Sequence, residues 1–232
     1  MPTVPSMPSG PSEPTPHVVI YDLDGVITTR DTFTVFTIEQ LCQRPLRLLP
    51  AIPLAIKRLF LRDDEHRRIT GVRIARIALR GLDDPEFARR VASFGHRVGR
   101  SGPWIRSSAV ERIRRHKAEG ARIVIATATE HRLARALLDT AGVPFDLLSG
   151  TTFTTTPTGM DVADHRLAER KVEALRELDV PVQDAEFVTD SFTDLPTARE
   201  ARSVVLIGAS VRTRKKFQTA GIQPLPDQYD NQ

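Results

Sequence analysis

Apolar and polar positions follow two different patterns along the chain. Val18-Val19-Ile20-Tyr21 is a short unbroken apolar run with the length and β-branched content of a buried strand, and it ends at once in Asp22-Leu23-Asp24-Gly25. Residues 29–107 then read as helices. Phe33, Phe36 and Leu41 mark one, broken by Pro45; Ile69, Val72, Ile77 and Leu79 mark another, ending at Gly81. Asp84-Pro85 supplies a cap and a first-turn proline to a third, through Phe87, Val91 and Phe94. From Ser108, which is placed to cap a helix through Val110 and Ile113, strand and helix alternate. Strands are expected over 122–127, 145–149, 185–190 and 203–207, with a Thr-rich turn or hairpin over 151–159. Helices are expected through Leu133, Leu137 and Leu138 to Gly142, through Ala168, Val172, Leu175 and Leu178, and over 195–201. This grammar predicts an α/β fold, a doubly wound parallel sheet with a helical insertion after its first strand.

Parallel strands bring their carboxyl ends to one edge of the sheet, where ligands of open α/β folds bind. Asp22 and Asp24 leave the first strand there, Thr127 the second, and Asp190 with Asp194 a later one. Gly25 lets the backbone turn immediately after the first pair. Close carboxylates repel unless a cation or a proton relieves them, and an oxygen-rich acidic set suits Mg²⁺ with a phosphate ligand. Carboxylates would hold the ion, while Thr127 and Lys171 bind phosphoryl oxygens; an Asp can also serve as nucleophile with a neighbour moving the proton. Taken alone, the Asp-x-Asp pair equally fits a strand-end turn cap beside a solvated acid, and Lys171 a surface lysine.

Composition narrows the classes. The 232 residues hold 40% hydrophobic and 27% charged side chains, ordinary for a soluble globular protein large enough for one domain with an insertion. A net charge of +4 comes mostly from dispersed arginines, without the aromatic-interleaved basic patch that stacks bases, so nucleic acid is not an expected partner. The single Cys42 excludes an internal disulfide and suits a reducing, cytoplasmic setting. The six histidines have no zinc-binding spacing. No run approaches the roughly 20 apolar residues of a membrane span. Residues 1–16 carry proline at nearly every third position and read as a disordered or polyproline-like arm without signal-peptide character; residues 224–232 read as a polar tail.

Together these residues resemble the haloacid dehalogenase-like phosphatases, in particular the branch containing phosphoserine phosphatases, over about 18–208. Asp22-Leu23-Asp24-Gly25 is similar to the family's first motif, Thr127 to its second, Lys171 to its third, and Asp190 with Asp194 to its fourth. The resemblance implies a Rossmann-like core, 17–28 and 108–223, with a helical cap, 29–107. It implies a Mg²⁺-dependent phosphomonoester hydrolase in which Asp22 becomes an aspartyl phosphate and Asp24 is acid and base. Asp22, the Asp24 backbone carbonyl and Asp190 would hold the metal, and Asp194 would orient its shell. Val26, Thr189 and Glu169-Arg170 depart from the usual pattern, the last replacing a Gly-containing turn before the lysine. Asp24 separates the chain from true dehalogenases and from P-type pumps. A phosphoserine phosphatase-like amino-acid phosphatase is one alternative. A non-enzymatic domain that accepts or binds phosphate is the other.

The cap sets the substrate, which is either a small-molecule or a lipid phosphate. Asp31 stands where phosphoserine phosphatases have a substrate-gripping Glu, and Ala128-Thr129 where they have Gly-Gly. Arg73 or Arg76 is placed to offer a second anion grip, or else to lie solvated on a helix face. The most apolar part of the cap, 45–61, has Arg47, Lys57, Arg58 and Arg62 around it. It fits packing between cap helices; it also fits peripheral contact of 45–62 with the anionic inner face of a membrane. It resembles, with Asp31-Thr32-Phe33, the cap of bacterial phosphatidylglycerophosphatases.

Overall fold

The computed structural model describes residues 17–61 and 63–226. The proline-rich arm, 1–16, and the end of the tail, 227–232, lie outside the described residues. The chain enters through β1 (Val18–Tyr21), passes through α1 (Thr32–Cys42), α2 (Leu48–Phe60), α3 (Asp64–Ala78) and α4 (Asp84–Gly99), and then begins strand–helix alternation. That part comprises α5 (Ser107–Ala118), β2 (Arg122–Glu130), α6 (His131–Ala141), β3 (Leu147–Thr156), β4 (Gly159–Asp164), α7 (Glu169–Glu177), β5 (Glu186–Thr189), α8 (Leu195–Glu200), β6 (Ser203–Leu206) and α9 (Val211–Thr219). The sheet has six strands in the order β4-β3-β2-β1-β5-β6. All pairs are parallel except β3 with β4, an antiparallel edge hairpin.

Alternation along β1 feeds two cores. Val19 and Tyr21 join the layer containing Ile123, Ile125, Phe36, Phe87, Leu133 and Leu137, whereas Val18 and Ile20 join Val124, Val172, Leu175, Phe187 and Phe217 on the other face. A strand buried on both faces is apolar throughout, which is why the opening run could be read as central. The sheet's first core layer also carries the helical insertion. Gly95 and Gly99 of α4 lie against α6 so closely that a Cβ would come 2.6 Å from the Leu133 and Leu137 carbonyl oxygens.

The differences from expectation are local. The Thr-rich stretch is the hairpin that was one of its two expected forms, but it is continuous with the strand expected over 145–149: together they make one long strand, β3, whose outer half pairs with β4. This hairpin clamps the insertion: the Gly81 N–H donates to the Thr158 carbonyl at 2.8 Å, Arg76 pairs with Asp161 at 2.7 Å, and Phe153 stacks near Phe33 and Phe87. Asp83, not Asp84, caps α4 by accepting from the Glu86 N–H, with Pro85 inside the first turn. Ser108 lies within α5, where Arg106 occupies the cap position. The sequence pattern does not predict α9, because Phe217 is its one buried residue and its apolar periodicity is faint. The tail begins beside β6, where the Leu225 N–H donates to the Val204 carbonyl.

Candidate active site

The carboxyl ends of β1, β2 and β5 converge as their parallel pairing requires. Asp22 extends the ladder by one bond, its N–H donating to the Val188 carbonyl at 2.9 Å. Its Oδ1 accepts from the Leu23 N–H at 2.8 Å and lies 3.2 Å from Lys171 Nζ. Lys171 is 1% exposed, which rules out the surface-lysine reading. Its ammonium also meets Asp194 Oδ1 at 2.7 Å, and Asp194 Oδ2 accepts from the Thr189 hydroxyl at 2.7 Å. Asp194 thus anchors the lysine. The α7 turn that delivers Lys171 has Ala168 at φ 52°, a left-handed backbone immediately before Glu169-Arg170, the pair that stands where the resemblance implies a Gly-containing turn.

Gly25 has φ 81°, and a Cβ there would overlap the Asp190 carboxylate. The absence of a side chain is therefore what lets the first turn and the end of β5 meet. Arg106 fixes the same turn from outside, Nε to the Val26 carbonyl and Nη2 to the Gly25 carbonyl, both at 3.1 Å.

Asp24 sits among hydroxyls. Its Oδ1 accepts from the Thr32 N–H at 2.9 Å, the Thr32 hydroxyl at 2.8 Å and the Thr28 hydroxyl at 3.2 Å. Its Oδ2 accepts from the Thr129 hydroxyl at 2.6 Å. Thr127 is fully buried beside it, its hydroxyl oxygen accepting from the Thr129 N–H at 3.0 Å. The Asp-x-Asp pair is therefore neither a bare turn cap nor solvated.

Electrostatics express crowding. Burial, then the charge of Asp31, lifts the Asp24 carboxyl to about 6 against the pull of Thr129 and Thr32. Burial and Asp194 lift Asp190 to about 6 as well. Asp22 is raised by burial and by Asp194, Asp190 and Asp24, with Lys171 opposing. Burial disfavours the Lys171 charge, but Asp194 and Asp22 outweigh it and hold the ammonium above its ordinary value. Four carboxylates around one lysine leave a negative excess that a cation relieves. Among the described residues no three His, Cys, Asp or Glu side chains group as a metal set. Asp22 and Asp190 with the Asp24 carbonyl require only two, and an all-oxygen donor set fits Mg²⁺.

The three cap residues take other places. Asp31 is exposed and caps α1, accepting from the Thr34 N–H and hydroxyl at 2.7 Å each. Arg76 is paired with Asp161, and Arg73 is exposed on α3. Conversely, Thr28, Thr32 and Arg106 were not singled out from sequence, and Thr129 only as a departure from the phosphoserine pattern. Hydroxyl residues are common, and only the Thr127-x-Thr129 spacing at a strand end offered a signal.

No curated protein matches the sequence. Among solved structures, a protein of unknown function from Bordetella pertussis Tohama I superposes with a TM-score of 0.69 at 19% identity, covering 91% of this chain and 99% of that one. A phosphoserine phosphohydrolase-like protein from Francisella tularensis subsp. tularensis SCHU S4 gives 0.60 at 10% identity, covering 92% and 95%. A phosphoserine phosphatase solved as a phospho-aspartyl intermediate analogue gives 0.59 at 11%, covering 88% and 91%. These likenesses show the fold. The model of the haloacid dehalogenase-like hydrolases matches residues 19–199, a span holding every acid of the sheet edge together with Thr127 and Lys171, and the chain belongs to that family.

Proposed function

We propose that the chain is a Mg²⁺-dependent phosphomonoesterase acting through an aspartyl phosphate on Asp22. The observation that carries this reading is the unequal housing of two neighbouring acids. Asp22 lies against a buried ammonium, as suits a nucleophile that must receive an anionic phosphoryl group, while Asp24 lies among hydroxyls with its carboxyl lifted to about 6, as suits an acid and base. An Asp22 carboxylate oxygen bonds to phosphorus as the ester P–O bond breaks, and Asp24 gives its proton to the leaving oxygen. Water then attacks the phosphorus, yields its proton to Asp24 and releases inorganic phosphate and the free Asp22 carboxylate. Lys171 and Thr127 hold phosphoryl oxygens through both steps. Mg²⁺, which Asp22, Asp190 and the Asp24 carbonyl would hold, offsets the charge of the phosphoryl group when bound.

The reading includes a core of 17–28 and 108–223 and a cap of 29–107 that admits a small-molecule or lipid phosphate. A phosphoamino acid is the second substrate class, favoured by the phosphoserine phosphatase folds among the neighbours. Against it, Asp31 is committed to capping α1. Hydrolysis of an aryl phosphate by the purified chain should require a divalent cation, and Asp22→Asn should abolish it with the circular dichroism spectrum unchanged. Parental activity in Asp22→Asn would overturn the covalent route.

A further inference from the structure

The helix α2 inverts the usual relation between its residues and solvent. Ala51 is its one buried residue, whereas Leu49, Ile52, Ile56, Leu59 and Phe60, with Leu46 just before it, are 49–81% exposed. At 100° per residue the five helical positions fall within an arc of about 100°, a single stripe. The opposite side, carrying Ala51 and the half-buried Leu54 and Arg58, is the one toward α3, where Arg58 lies over Gly71. Contiguous exposed apolar patches of this kind mark interaction surfaces, because a soluble chain gains nothing from displaying them.

We infer that this stripe docks on an anionic lipid surface. Charge favours this occupant: residues 40–62 hold Arg44, Arg47, Lys57, Arg58 and Arg62 without an acid, and the acids that follow, Asp63, Asp64 and Glu65, open α3, where Asp63 caps the helix by accepting from the His66 N–H. Lys57 lies exposed beside the stripe, while Arg47 donates to the Ala78 and Arg80 carbonyls and so holds the front of the helix to the rest of the insertion. A basic-flanked apolar stripe matches the interface of an anionic bilayer, with the apolar face at the acyl boundary and the cations among the head groups. No helix among the described residues is long and apolar enough to cross a membrane, so the contact is peripheral.

The test is flotation of the full chain with phosphatidylcholine vesicles, with and without phosphatidylglycerol, read without any turnover so that it stands apart from the phosphatase reading. The chain should float with the anionic vesicles, and the double variant Leu59→Glu/Phe60→Glu should float at least about tenfold less, with its circular dichroism and melting temperature unchanged. Lys57→Ala should weaken binding about fivefold. Absence of flotation overturns the inference, as does a double variant that floats like the parent. A dimer in analytical ultracentrifugation that the double variant dissociates, without flotation, overturns it in favour of a second copy.

Discussion

The sheet edge and α2 break the same rule in opposite directions, and the contrast tells them apart. At the edge, Asp22, Thr127, Lys171 and Asp194 are buried although polar; on α2, Leu49, Leu59 and Phe60 are exposed although apolar. The buried group is answered from within: Lys171 bridges two carboxylates, and the Asp24 carboxylate accepts four hydrogen bonds. Such a network is costly to interrupt and therefore rigid. The α2 stripe is answered by nothing in the described chain, so changes there should leave the fold intact and alter only what the protein meets.

After the complete loss expected of Asp22→Asn, the largest effect should come from Asp24→Asn, which keeps shape and removes the proton. Turnover should fall by about 10²–10⁴, the usual loss for a general acid or base. Mg²⁺ affinity, measured by calorimetry, should hold, since the backbone carbonyl is unchanged; an equal rate with weakened metal binding would contradict the role. Lys171→Ala should follow, costing about 3–5 kcal/mol in denaturant titration because Asp22 and Asp194 are left buried without their cation. Phosphate affinity should fall as well. A cost under about 0.5 kcal/mol, that of an ordinary surface substitution, would refute the network.

Thr129→Val tests the hydroxyl setting of Asp24. Loss of one hydrogen bond to a charged acceptor is worth about 1.5 kcal/mol or more, so turnover should drop about tenfold. The melting temperature should fall by a few degrees, as loss of the same bond from the resting fold requires. A Thr129→Ser variant, which restores the hydroxyl, should recover most of the rate.

Much of this site was legible in the sequence, because each of its acids lies at the end of a short apolar run. A strand end is a local feature, and parallel pairing then guarantees convergence without knowledge of any contact. The partners of those acids were not legible in the same way. Thr32 reaches Asp24 from the first residue of α1, and Thr129 from two residues past Thr127, so both depend on how an insertion and a strand are set in space. Asp31 illustrates the reverse: an acid adjacent to the motif reads as a substrate grip, yet its position one residue before a helix makes it a cap. The Thr-rich stretch reads as a turn or hairpin, and a hairpin forms; its extent out to Asp164 is not legible because its threonines carry little apolar alternation and the packing of Phe153 on Phe87 that fixes it spans the fold. For α2 the apolar character was plain, while which side it presents to solvent could come only from its packing against α3.

Acidification probes a buried polar group outside the site. His116 meets the Tyr21 hydroxyl at 2.9 Å, and burial, then Arg112 and His17, outweigh the opposing charges of Glu186 and Glu119 and hold its imidazole below the ordinary 6.5. With the folded value below the unfolded one, the unfolded chain binds more protons in that interval. Its contribution to stability is therefore complete above the ordinary value and is lost as pH falls from there through the lower folded value. Asp24 and Asp190, raised to about 6, gain protons and stability over the same interval in both proteins, so the difference is the readout: from about pH 7.5 to about pH 5.5 the melting temperature of the parent should fall relative to that of His116→Gln. Parallel slopes for the two proteins would show that the imidazole is not the group responsible.

The smallest effect is expected on α2, and its smallness is informative. Leu59 is 80% exposed, so replacing it with serine removes little buried apolar surface and should change unfolding free energy by less than about 0.5 kcal/mol. Serine has a somewhat lower helix propensity than leucine, and the substitution lies in the last turn, where that difference counts least. A buried leucine of the sheet layers, such as Leu137, should instead cost about 2–5 kcal/mol on truncation to alanine, because it leaves a cavity in a close-packed interior. Parallel urea titrations of Leu59→Ser and Leu137→Ala give both numbers under one condition. If Leu59→Ser were to cost as much as Leu137→Ala, α2 would be covered within the folded chain in solution, and the stripe would belong to the core. If it costs almost nothing, the apolar face is surface, and its selection has to be sought in what lies outside the molecule.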